Sequence, residues 1–125
     1  NLRRNFSAGA SNRTFDVGDA TTYAPVTLAV AGAGAAFDLA TSTQAGDHTS
    51  LASSDLDPAK SVNRTWTLAT AGSPAFSGAD ATFGFAASDV DAGANPSNFL
   101  VRRYSGGWTS PTAGTRTAAS THRRW

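Results

Sequence analysis

Val62-Asn63-Arg64-Thr65-Trp66-Thr67-Leu68 is the stretch that decides the fold. Val62, Arg64, Trp66 and Leu68 share one side of an extended chain, and Thr65 and Thr67 the other. Period two in β-branched and aromatic residues predicts a strand with one buried face. The pattern recurs outward from there. In Arg13–Val17, Phe15 and Val17 share a side, and Gly18-Asp19 then turns the chain. In Pro25–Val30, Val26, Leu28 and Val30 alternate with Thr27 and Ala29. The Gly/Ala run from Ala31 to Ala36 predicts a hairpin, and Phe37 and Leu39 follow with matched parity. Ala81–Ala87 sets Phe83 and Phe85 inward. Phe99–Tyr104, the turn Ser105–Gly107 and Trp108 predict two more strands, and Thr115–Ala118 a last one. Residues 41–61 and 89–98 are polar and predict loops.

Short strands at close spacing, with no helical pattern between them, predict an all-β fold: an antiparallel, Ig-like β-sandwich of about seven or eight strands. The 125 residues suffice for one domain and are too few for two good cores. Residues 1–125 therefore read as a single sandwich, with 1–12 and 119–125 as terminal arms. Composition agrees. Ser and Thr together number 30, Glu and Met are absent, and strong helix formers are scarce apart from 25 Ala. Leu, Val and Phe reach only 20, but a net charge of +1 argues against disorder. The absence of Cys excludes disulfides, zinc–thiolate sites and thiol catalysis. No apolar run is long enough to span a membrane.

Phe15-Asp16-Val17-Gly18-Asp19, then Tyr23–Leu28, resembles the opening phrase of a class of bacterial extracellular β-sandwich modules. Val62–Leu68 resembles their central strand, where an aromatic more often stands in the place of Thr65. Asp89–Asn95 and Phe99–Trp108 resemble their later strands. The resemblance runs over roughly residues 5 to 118. It implies a sandwich fold and a home in large secreted or surface-anchored, adhesin-like proteins. It implies no catalytic residues. In such modules a further apolar strand follows the segment matching Thr115–Ala118; here the chain continues as Ala119-Ser120-Thr121-His122-Arg123-Arg124-Trp125. Either Trp125 substitutes for that strand or the strand is missing, and a missing strand predicts an open sheet edge, which pairs with another chain or invites aggregation.

Candidate sites are few. Asp89, Asp91 and Asn95 place oxygens at alternate positions, the kind of spacing that winds round calcium. The pattern lacks the closing Glu of an EF-hand, and the competing expectation is a loop of Asx turns. Asp55 and Asp57 pose the same choice. Asp47 and His48 with Ser50, Ser53 and Ser54 have the residue types of a hydrolase triad but no nucleophile-elbow motif, so an exposed loop His is expected. Tyr104 and Trp108 are the aromatics expected to reach a glycan, while Trp66 alternates with Leu68 as core. Arg64, inward by parity, needs an Asp partner or an aromatic ring to stack on. Lys60 is the only lysine, so it alone could enter an isopeptide crosslink. Asn5, Asn12 and Asn63 stand in N-glycosylation sequons.

Charge is unevenly spread. Residues 1–13 carry three Arg and residues 99–125 five, with no acid in either, while all nine Asp lie between them. Opposed basic and acidic surfaces would steer head-to-tail association if folding kept them apart. Together these features predict a non-catalytic structural or adhesion module on the bacterial cell surface. It would self-associate, or join neighbouring domains, into filaments by terminal-strand complementation. Leu2, Arg3, Arg4, Phe6, Arg123, Arg124 and Trp125 are the expected interface. The alternative is a carbohydrate- or calcium-dependent binding module. No cofactor is expected beyond possible calcium, nor nucleic acid, nor membrane insertion.

Overall fold

The computed structural model describes residues 1–124, and of residues 122–124 the backbone alone. Ten strands form: β1 (Leu2–Phe6), β2 (Gly9–Phe15), β3 (Val26–Ala33), β4 (Phe37–Ala45), β5 (Arg64–Thr70), β6 (Ala79–Gly84), β7 (Arg103–Tyr104), β8 (Trp108–Thr109), β9 (Thr112–Thr117) and β10 (Ser120–Arg124). One antiparallel sheet has the order β1-β4-β5 and the other β2-β3-β6-β10-β9; β7 and β8 make a separate hairpin. The two larger sheets pack through one core as an antiparallel β-sandwich. Among the described residues no helix is long and apolar enough to cross a membrane.

The alternations do what their period requires. In β3, Val26, Leu28 and Val30 are buried, and in β6 so are Ala79, Ala81 and Phe83. Phe6, Phe15 and Phe37 meet between the sheets, with ring centroids 6.2 and 5.0 Å apart. Phe6 and Phe15 are wholly shielded from solvent, each contributing on the order of 2–3 kcal/mol by burial. Thr41, the polar residue in this layer, donates its hydroxyl to the Thr67 carbonyl at 3.0 Å.

Five expectations are corrected. The strand count is ten, because both chain ends join the sheets. Residues 1–12 are no arm: β1 pairs with β4 from Leu2 opposite Thr41 to Phe6 opposite Phe37, and β2 pairs with β3. Residues 119–124 are no arm either, and a last strand is present; Trp125, the end of that expected arm, lies outside the described residues. β10 lies inside the larger sheet, with β6 on one side and β9 on the other. Arg4 hid β1 in the sequence, since a cation stands where alternation asks for an apolar side chain between Leu2 and Phe6. In the opposite direction, Phe99–Tyr104 is mostly irregular, and only Arg103–Tyr104 is strand.

Candidate functional site

Two features stand out, a buried ionic node and an open cleft beside it. The node is Arg64, at the start of β5, whose side chain is 1% exposed. Its Nε donates to Asp89 Oδ2 at 2.6 Å and its Nη2 to Asp89 Oδ1 at 3.3 Å. Nη2 also reaches Asp19 Oδ2 at 2.9 Å. The planar guanidinium suits such a two-pronged grip, which offsets the desolvation of both charges. Asp19 is itself fixed by a tight turn. Its Oδ1 accepts the N–H groups of Thr21 and Thr22 at 3.0 and 2.9 Å. Gly18 permits that turn, since a Cβ there would lie 2.2 Å from the Thr22 carbonyl oxygen. The Thr21 N–H and then the Arg64 guanidinium hold the Asp19 carboxyl at about 2, below its ordinary 3.8. Thus the three stretches Phe15–Asp19, Val62–Leu68 and Asp89–Asn95 converge on one guanidinium. The expected Asp partner for Arg64 is present twice over. The ring that carries a guanidinium is instead Phe6, with the Arg13 carbon 6.0 Å from its centroid.

The cleft follows from unequal sheet widths. The smaller sheet stops at β5, whereas the larger continues past β6 to β10 and β9. A cleft of about 1040 Å³ opens between them. Buried Leu28, Leu39, Phe83 and Phe85 line its depth, and half-buried Trp66, Leu68 and Val101 its sides. Trp66 is held by its indole N–H, which donates to the Ala24 carbonyl at 3.0 Å, and by the Phe83 ring at 5.2 Å. Its expected core role therefore holds on one face only. Thr121 also lines the cleft. Its hydroxyl is buried, with no partner among the described residues.

At one end of the cleft lie the loop after β4 and the β7–β8 hairpin. Tyr104 and Trp108 stand directly opposite each other in that hairpin, with ring centroids 5.1 Å apart. His48 completes the group, 4.8 Å from Tyr104 and 5.2 Å from Trp108. The Trp108 indole N–H donates to the Ser50 carbonyl and the Ser53 hydroxyl, both at 3.0 Å. His48 Nδ1 accepts the Ser50 N–H at 3.1 Å. His48, expected as an exposed loop residue, is half-buried: its imidazole bonds a backbone N–H, while the Ser53 and Ser54 hydroxyls donate to carbonyls.

The remaining sequence-predicted residues are dispersed. Asp89, Asp91 and Asn95, the candidate calcium ligands, each bond a different partner. Asp89 is taken by Arg64, Asp91 accepts from the Ser61 N–H at 2.9 Å and the Asn63 side chain at 2.8 Å, and Asn95 caps Ser97 at 3.0 Å. Those bonds, the Ser61 N–H foremost, lower the Asp91 pKa. Among the described residues no group of three or more acidic, His or Cys side chains could hold a metal. Of the expected interface, Phe6 is core and Leu2 packs against it. Arg3 is exposed, and Arg4 lies 3.7 Å from Asp16. Trp125 and the side chains of Arg123 and Arg124 lie outside the described residues. Folding also mixes the charges: Arg102 grips Asp55 with two bonds of 2.7 Å and lowers its pKa. Lys60 is exposed and donates to the Ala92 carbonyl at 3.1 Å. His48 as a third aromatic was missed, because its only sequence signal was proximity to serines. No family model, curated protein or solved structure matches the chain.

Proposed function

We propose that the chain is a non-catalytic structural module of a bacterial secreted or cell-surface protein, and that it joins copies of itself by strand addition along β5. β5 is the observation that carries this. It is a seven-residue edge strand, paired among the described residues only with β4, whose inward side chains border an open apolar cleft. Its outer row of N–H and C=O groups is a template for an incoming extended segment. Main-chain hydrogen bonds would supply affinity, and alternate apolar side chains would settle on Leu28, Leu39 and Phe83. The joint moves from the chain ends to β5, because β1 and β10 already occupy places in the sheets. The Arg64 node supports a mechanical role, since a buried guanidinium ties the start of β5 to the segments that carry Asp19 and Asp89. Location rests on the Cys-free, Ser/Thr-rich composition and on the resemblance to extracellular modules.

Light scattering of the full chain over a concentration series tests this. The mass should climb with concentration. Leu68→Lys, which puts a cation into the cleft beside the edge, should leave a monomer with an unchanged fold. A wild-type chain that stays monomeric throughout would overturn self-association through β5.

A further inference from the structure

We infer that His48, Tyr104 and Trp108 form a carbohydrate subsite at the end of the cleft, taking a neutral hexopyranose unit of a glycan. This goes beyond strand addition and rests on different residues. Protein sites for sugars combine aromatic faces with a few fixed polar groups, because a pyranose presents C–H faces edged by hydroxyls. The three rings here are within 4.8–5.2 Å of one another. They are held in place before any ligand arrives. Trp108 is anchored through its N–H to Ser50 and Ser53, and the hairpin sets Tyr104 opposite it. Such preorganisation lowers the ordering cost of binding.

The polar edge is equally specific. His48 Nδ1 accepts from Ser50, so the neutral ring carries its proton on Nε2, which has no partner among the described residues. Tyr104 is 43% exposed, and its hydroxyl likewise has no protein partner. The ring cluster therefore carries two polar groups free to bond sugar hydroxyls, which both donate and accept. Asp47 and Arg103 line the same cleft and offer a carboxylate and a guanidinium. Charge decides against an anionic ligand. Arg102 is neutralised by Asp55, which leaves Lys60 and Arg103 against Asp47 and Asp57 around the opening. No net cation remains to recognise a phosphate or a nucleic acid backbone.

The test is an NMR titration of the full chain with the methyl pyranosides of glucose, galactose, mannose and N-acetylglucosamine. At least one should produce saturable shifts of the Trp108 indole N–H, with the Trp66 indole unmoved. Tyr104→Ala should weaken that sugar by about tenfold, the upper range for one aromatic contact. The ring is exposed, so its removal leaves the core intact. Should its spectrum lose dispersion, His48→Ala carries the same expectation. The inference is overturned if none of the four sugars gives saturable shifts at tens of millimolar. It is also overturned if the folded variant binds as tightly as the wild type.

Discussion

The two flanks of the sandwich obey the same alternation and end up differently. On the β1–β2 flank, Phe6, Phe15 and Phe37 stack into a closed layer, and Phe6 and Phe15 are fully buried. On the β5 flank, Trp66 and Leu68 point inward in the same way yet stay half-exposed, because among the described residues the smaller sheet has no strand beyond β5. A face patterned for burial is buried only where the facing sheet is wide enough to cover it. The closed flank therefore holds the fold together, and the open flank leaves part of its apolar face uncovered.

The sharpest way to break this contrast is to truncate one residue on each flank. Phe6→Ala should cost about 4 kcal/mol in urea unfolding, through lost transfer energy plus a cavity. Leu68→Ala should cost about 1 kcal/mol, since part of its side chain already meets solvent. Equal losses would mean that the β5 flank is closed in solution. Next in size is Arg64→Ala. It strands Asp89 in a buried site, so about 3 kcal/mol should be lost. Adding Asp89→Leu to Arg64→Leu should recover part of that loss, because no buried unpaired charge remains and Asp19 reaches solvent.

The smallest effect is in pH. The folded Asp19 carboxyl titrates at about 2, below its ordinary 3.8. A depressed carboxylate stabilises the fold above its unfolded value, and that stability is lost as pH falls through the folded one. Thermal melts should therefore decline between about pH 4 and pH 2, and Asp19→Asn should flatten that decline. An unaltered acid slope in the variant would place the sensitivity on other carboxylates.

Much of the fold was legible because strand periodicity is local. Val26, Leu28 and Val30 announce β3, and Phe83 announces β6, with no knowledge of their neighbours. Arg64 could be read as a paired inward cation from parity alone. Its partners could not, since Asp19 and Asp89 lie 45 and 25 residues away, and nothing in the chain singles them out from seven other Asp. β1 and β10 were illegible for a different reason. Their side chains include cations and small polar groups, and strand pairing there is made by backbone bonds that any residue can supply.

The aromatic group shows the same division. Tyr104 and Trp108 flank a Ser-Gly-Gly turn, so their meeting is a local matter of hairpin geometry. His48 reaches them from 56 and 60 residues away, which only the packing of the β4–β5 loop against the hairpin decides. The sequence by itself determined an antiparallel β-sandwich, because alternation and turn chemistry act over a few residues. The tertiary structure alone decided that the smaller sheet ends at β5, and hence that a cleft, an edge and an aromatic cluster share one side. Sheet order depends on which distant strands pair, and pairing energy resides largely in a backbone common to every residue.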